Sequence, residues 1–335
     1  MRRDLAAIDV ATMRGLEIGP LASPRVSKDD GPVRYLDHAS AEELKRKYAT
    51  NAEMQDRIDH IVDVDYVIGE GKRISEAVAQ DAPFDYVIAS HLIEHIPDPV
   101  GWMADVAQIL RPGAILSLVI PDKRFCFDIN RAPSDISEIV DAYLRQLTRP
   151  SYRQVYDFTS RAINGVVDTH AVWTEGADYT GVVRSDCDDP DVAALEACRR
   201  MDTSDEFVDV HCHAFTPDSF LVLLEKLSRL GLVDFELARF FPTEVDTLEF
   251  HASLRLLDPS ADRSAMERRQ LASIARARAG GLESGSVPAP VAVAVEQAPP
   301  PSVTMDVSER EQKLLLLKRR SIEGIRGALQ GRLQQ

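Results

Sequence analysis

The run Tyr86-Val87-Ile88-Ala89 is apolar at every position. A strand built from it has no face to offer water, so it belongs in a sheet covered on both sides, the usual setting of parallel strands. Around it, short β-like runs alternate with helical stretches, which predicts a parallel sheet clothed by helices. We expect strands at residues 13–18, 33–36, within 61–67, 86–89 and 114–120, with helices at 41–49, 74–80 and 99–110 between them. Arg111-Pro112-Gly113 ends the last of these helices, because proline cannot continue it and glycine supplies the turn.

Regularity falls away between residues 122 and 210, which reads as an insertion after the fifth strand, helical around 134–147. It returns at Phe215-Thr216-Pro217-Asp218. Thr216 suits an N-cap, Pro217 suits the first helical position, and residues 220–230 carry helical apolar spacing. Two further runs, 232–237 and 248–254, complete seven strands, the last two being candidates for antiparallel pairing. The expected fold class is therefore α/β, a Rossmann-like, seven-stranded, mostly parallel sheet with helices on both faces.

This domain should occupy residues 1–258, with 122–210 as the insertion, and 259–279 should form a helical extension. Residues 280–305 are rich in Pro, Ala, Val, Gly and Ser and read as a flexible linker. Residues 306–335 place Leu315, Ile322, Ile325, Leu329 and Leu333 among charges, the pattern of an amphipathic C-terminal helix. Such a helix either docks on the same domain or self-associates.

The formal net charge of −15 in 335 residues argues against phosphate-backbone binding, so no nucleic-acid partner is expected. Four scattered cysteines without a C-x-x-C pair suit a reduced intracellular protein. No apolar run follows Met1-Arg2-Arg3-Asp4 as a signal peptide requires, and none approaches the roughly 20 residues that span a bilayer. A soluble, cytoplasmic protein is the expectation.

In an open parallel sheet, ligands bind beyond the carboxyl ends of the strands. Gly19 follows the first strand and Asp37 the second, 18 residues later. Glycine lets the chain approach a ligand closely, and a carboxylate at the second position can accept from both hydroxyls of a ribose. G-x-G-x-x-G is absent, and Pro20-Leu21-Ala22-Ser23-Pro24 offers no glycine-lined seat for a pyrophosphate. A nucleoside without phosphates fits better than a dinucleotide.

The ordered segments LEIG, YLD, FDYVIASHLIEHIPDP and ILRPGAILSLVIPD resemble the successive motifs of class I S-adenosylmethionine-dependent methyltransferases. ASHLIEHIPDPVGW followed by IPDKRFCFD resembles, more narrowly, a bacterial group associated with polysaccharide and glycosyl-transfer gene clusters. The resemblance implies S-adenosyl-L-methionine as cofactor. It implies that Glu17 and Gly19 border the methionine part, Asp37 binds the ribose hydroxyls, Asp65 or a neighbour flanks the adenine, and Ser90 and His91 line the cleft. Leu21 and Ser23 stand where the family's later glycines would be.

The implied reaction is displacement of the sulfonium methyl by an oxygen or nitrogen of a small-molecule or glycan-linked acceptor, for which alignment matters most. A general base serves only a hydroxyl or a protonated amine. His91, His95, Asp122, His211 and His213 are candidates, of which His95, Asp122 and His213 are the catalytic expectations. His91 and His95 equally suit backbone hydrogen bonding, and Asp122 with Arg124 equally suits a loop cap. His211 and His213 share one side of an extended chain, but two ligands make no zinc site, so no metal is expected. Trp102 reads as packing, and Trp173 as packing or substrate contact. The main alternative is a non-catalytic Rossmann-like module that binds or regulates a partner, motivated by the altered glycine loop.

Overall fold

The computed structural model describes residues 2–282 except 52–53, 70–71, 164–166, 183, 185 and 205–206. The linker and terminal helix expected beyond residue 282 lie outside the described residues. Seven strands form one sheet, β1 (Gly15–Ile18), β2 (Val33–Asp37), β3 (Tyr66–Val67), β4 (Phe84–Ser90), β5 (Leu110–Pro121), β6 (Phe235–Phe241) and β7 (Glu249–Leu256). Their spatial order is β3-β2-β1-β4-β5-β7-β6. β1 to β5 are parallel, whereas β7 runs antiparallel to both β5 and β6. The mixed edge follows from connection length: β6 and β7 are joined by a short loop, and a short loop can only join antiparallel neighbours.

β1 and β4 sit side by side at the centre, where the order of strands reverses. Ile18 is level with Leu36 of β2 and with Ala89 of β4. The turns after these three strands therefore open at one edge, the place at which open α/β sheets take ligands. Two glycines make this possible. A Cβ on Gly15 would lie 1.9 Å from the Tyr86 ring, so only glycine lets β1 pack against that tyrosine. Gly19 takes φ +69°, which turns the chain away from the sheet.

One face of the sheet, with Leu16, Val87, Leu116, Leu118 and Phe250, packs against α2 (Ile74–Ala77), α3 (Pro99–Gln108), α7 (Pro217–Leu230) and α8 (Arg263–Arg278). The other face, with Tyr35, Tyr86, Ile88 and Ile115, is covered by Val26 and by Leu5, Ile8, Val10 and Met13 of the N-terminal segment. A smaller cluster seats α1 (Ala41–Tyr48) through Leu44 on Leu21 and Ile61. α1 starts at a capping box between Ser40 and Glu43. α7 starts at Thr216 with Pro217 in its first turn, as the sequence suggests, and ends at Gly231 in the left-handed region.

Between β5 and α7 lie α4 (Ile136–Arg145), α5 (Tyr152–Arg161), a single π turn at Ala171–Glu175 and α6 (Pro190–Met201). This stretch is more helical than the sequence implies, because its apolar residues are few and their spacing is blurred by acidic loops. β3 is also shorter than expected. A 3-10 helix, Gln55–His60, precedes it, and only Tyr66 and Val67 pair with β2.

Candidate active site at the carboxyl edge of the sheet

Asp37 ends β2 and is 4% exposed. Its Oδ1 accepts the backbone N–H of His38 at 2.7 Å. Its Oδ2 is buried without a hydrogen-bond partner. A buried carboxylate oxygen lacking a donor is costly, so an orphan of this kind marks a place where a ligand hydroxyl belongs. Beside it, a Cβ added to Gly19 would meet no atom within 4 Å, which leaves open space against the backbone. A buried acceptor next to an open stretch of chain fits a ribose on a nucleoside cofactor.

Glu17, expected to border the methionine part, bonds the backbone of the loop after β1. Its Oε1 accepts from the backbone of Arg25 at 2.6 Å and its Oε2 from that of Val26 at 3.0 Å. Burial raises its pKa to about 7, against the opposing pull of these two N–H groups and of the Arg25 charge. The carboxylate thus fastens the far end of the loop after β1. This explains how the loop survives without its later glycines. Leu21 itself adopts φ +43°, a conformation usually left to glycine, while its side chain is anchored in the α1 cluster.

Arg25, which sequence reasoning passed over, reaches across the edge. Its guanidinium donates to Ser90 Oγ at 2.8 and 3.2 Å and lies 3.8 Å from Glu249. His91 turns the chain after β4 with φ +50°, its N–H donating to Val119 and its Nε2 lying 2.7 Å from Glu249. A non-glycine residue held in this region is a strained position of the sort found at functional turns. Ser90 and His91 therefore stand beside Gly19 at the centre of the edge.

Asp65 stands elsewhere. It precedes β3, so it lies at the amino end of that strand, where it accepts from Tyr35 N–H at 2.8 Å and pairs with Lys28 and Arg34 at 2.9 and 3.1 Å. The residue that follows β3 at the ligand edge is Ile68, whose N–H donates to the Asp37 carbonyl at 2.9 Å. The strand expected within residues 61–67 pairs with β2 only at Tyr66 and Val67.

Three residues were expected to move a proton. Asp122 is fully buried, caps the turn Lys123–Phe125, and is occupied by the Arg124 guanidinium and by Thr243 Oγ1 at 2.7 Å. His213 is 1% exposed, with Nδ1 at 3.3 Å from Ser134 Oγ and Nε2 at 3.3 Å from the Pro97 carbonyl. Burial pushes its pKa down to about 4, so it is a neutral ring. Both side chains spend their polar atoms on the protein itself. His95 differs: it is half-buried, its Nδ1 is 2.9 Å from Asp209, and its other nitrogen has no partner among the described residues. Burial disfavours its charged form, but the Asp209 hydrogen bond and the Glu94 charge outweigh this and raise its pKa.

His211 and His213 diverge rather than share a ligand. His211 Nδ1 meets Asp128 at 2.5 Å, and Asp128 is in turn paired with the buried Arg131 at 2.8 Å. Among the described residues, the set with metal-ligand spacing is Glu94, His95 and His211. Glu94 was missed because a glutamate between Ile93 and His95 in a short turn gives no sign in the sequence that it will be buried.

The insertion lies over the end of β5. Trp173 stacks on Phe125 with ring centroids 4.3 Å apart, and its Nε1 reaches the Thr247 carbonyl at 3.4 Å. A cavity of about 660 Å³ opens between α5 and α6, lined by Tyr152, Tyr156, Arg161 and Arg199 among others. None of the residues at the ends of β1, β2 or β4 lines it.

No helix among the described residues is long and apolar enough to cross a membrane. Comparison with curated proteins gives no match. A family model described as a methyltransferase domain matches residues 5–171. Among solved structures, the CurJ carbon methyltransferase is 13% identical, with 76% of this chain and 50% of that chain covered and a TM-score of 0.35. This chain thus spans half the length of that protein. A putative Zn-dependent alcohol dehydrogenase from Rhodobacter sphaeroides is 15% identical over 76% of this chain and 87% of that one, with a TM-score of 0.39. An S-adenosylmethionine-dependent methyltransferase from Mesorhizobium loti is 14% identical over 74% and 92%, with a TM-score of 0.35. Likenesses this slight carry no weight for function. The family match is what counts: residues 5–171, which carry strands β1 to β5 of the seven-stranded sheet, match a methyltransferase domain.

Proposed function

We propose that the chain methylates an oxygen or nitrogen of a small-molecule or glycan-linked acceptor held between the sheet edge and the insertion. The observation that carries the cofactor placement is the buried, unpartnered Oδ2 of Asp37 beside the open backbone at Gly19. S-adenosylmethionine supplies an already activated methyl group when bound. The protein's own work is then alignment: Asp37 holds the ribose, Gly19 lets the chain come close, and Ser90 and His91 form the wall at the switch point.

The acceptor side is built from the turn after β5 and the insertion, since loops at this edge carry specificity. Asp122 and Arg124 support that turn as an ion pair. Of the three residues expected to handle a proton, His95 is the one with a ring nitrogen not spent on another described residue. A glycan-linked acceptor rests on the resemblance of ASHLIEHIPDPVGW and IPDKRFCFD to the polysaccharide-cluster group, and a reducing, cytoplasmic setting on the unpaired cysteines.

The test is calorimetric titration with S-adenosylhomocysteine, with NAD as control ligand. Saturable binding of the first in the micromolar range and none of the second is expected. Binding of neither would overturn the placement of the cofactor.

A further inference from the structure

The carboxylate of Glu94 is one of the most anomalous groups in the protein. It is 0% exposed, and neither of its oxygens has a hydrogen-bond partner. The nearest positive candidate, His91 Nδ1, is 3.7 Å away, beyond hydrogen-bond reach. Burying an ionised carboxylate in this state is strongly unfavourable unless a counter-charge compensates it. Two histidines stand against it. One ligating atom from each of Glu94, His95 and His211 lies within 4.8 Å of those of the other two. The two rings meet edge to face with centroids 4.5 Å apart.

Both rings are held in the way metal-bound histidines are held. Asp209 takes Nδ1 of His95 at 2.9 Å, and Asp128 takes Nδ1 of His211 at 2.5 Å. A carboxylate on one nitrogen fixes the tautomer and leaves the lone pair of the other free for a cation. Arg131, itself buried, locks Asp128 from behind at 2.8 Å and also binds Asp157 at 2.8 Å. The neighbouring donors are excluded. Cys212 directs its thiol to the His95 carbonyl at 3.3 Å, and both nitrogens of His213 are engaged.

We propose that Glu94, His95 and His211 bind one divalent transition-metal cation. Two imidazoles and a carboxylate suit Zn²⁺, Co²⁺, Mn²⁺ or Fe²⁺ and suit Mg²⁺ or Ca²⁺ poorly. Three protein ligands leave at least one coordination position for water or an acceptor oxygen. The half-buried His95 is the solvent-facing member of the set. The cation would also join the turn after β4 to the segment that closes the insertion, where His213 N–H already donates to the Glu94 carbonyl at 3.0 Å. This assignment stands on geometry at the β4 turn and does not depend on which acceptor is methylated.

The experiment uses the full chain, freed of metal with a chelator and titrated with Co²⁺ under visible absorption and with Zn²⁺ by calorimetry. One equivalent of each is expected, with d–d bands showing nitrogen and oxygen ligation. Glu94→Gln and His211→Ala should each abolish the bands and weaken Zn²⁺ binding by more than about 100-fold. Asp209→Asn, which disturbs only the support of His95, should weaken it by about 10–100-fold. His170→Ala, an exposed histidine elsewhere, should change nothing. Glu94→Gln removes an uncompensated charge, so its metal-free form should melt no lower than wild type, which separates ligand loss from misfolding. Absence of stoichiometric binding, or binding that survives Glu94→Gln and His211→Ala, would overturn the assignment. Titration with S-adenosylhomocysteine in the absence of metal reports on the cofactor site independently.

Discussion

Replacing Asp37 with asparagine separates the cost of a group from its use. Oδ1 accepts from the His38 N–H at 2.7 Å, and an amide oxygen can keep that bond. Oδ2 is buried without a donor. In the free protein it therefore contributes desolvation cost and no bond, and neutralising it should leave the melting temperature unchanged or raised. In the complex the same oxygen would accept from ribose hydroxyls, and hydrogen bonds to a charged group contribute about 1.5–3 kcal/mol. The asparagine NH₂ recovers part of this by donating to a hydroxyl oxygen, so the net loss should be about 1–3 kcal/mol, roughly 5–150-fold in Kd. Calorimetry with S-adenosylhomocysteine gives the affinity, and a thermal melt without ligand gives the stability. Unchanged affinity would mean that the ribose does not rest on Asp37. A fall in melting temperature of several degrees would mean that Oδ2 has a partner and that its isolation was misread.

Arg131→Met should cost about 3–5 kcal/mol in urea unfolding, because it strands the buried Asp128 with one partner fewer; a loss under about 1 kcal/mol would show that His211 alone compensates it. Glu17 and His213 set opposing pH slopes. Glu17 is raised from 4.5 to about 7, so folding takes up a proton between those values and its contribution falls as pH rises through that window. His213 is lowered from 6.5 to about 4, so folding releases a proton and its contribution rises with pH between 4 and 6.5. Glu17→Gln removes the first slope alone, and its stability relative to wild type should climb by up to about 3 kcal/mol from pH 4.5 to 7.5; a flat difference would refute the raised value. A chain ending at Val287 should keep the melting temperature and the S-adenosylhomocysteine affinity of the full chain, and a large drop in either would place the residues beyond it in the core.

The strands and their ligand edge were legible because they are written in local chemistry. Tyr86 to Ala89 could only be a central strand, Thr216-Pro217 announces a helix start, and Gly19 and Asp37 follow strands at a telling interval. Asp65 was misplaced because β3 has only two paired residues, too few to show a period. Asp122 and His213 could not be assigned between a structural and a catalytic role from the sequence, since their partners Thr243, Ser134 and Pro97 come from distant segments. Glu94 illustrates the limit best. Its burial depends on how the turn after β4 is roofed by residues 209–213, more than 100 positions away, and no local pattern encodes that.

The reversed strand β7 also has a consequence for how the chain is made. Residues 115–119 of β5 pair on one side with β4, already synthesised, and residues 115–121 pair on the other with residues 249–255. Between the two lies the whole insertion. During translation the outer edge of β5, Ile115 to Pro121 and apolar at all but Ser117, must wait unpaired for about 130 further residues. At typical synthesis rates of roughly 5–20 residues per second this is an exposure on the order of ten seconds. A nascent chain stalled in the insertion would present that edge as a template for another strand, so ribosome pausing within the insertion is where this protein is most open to aggregation.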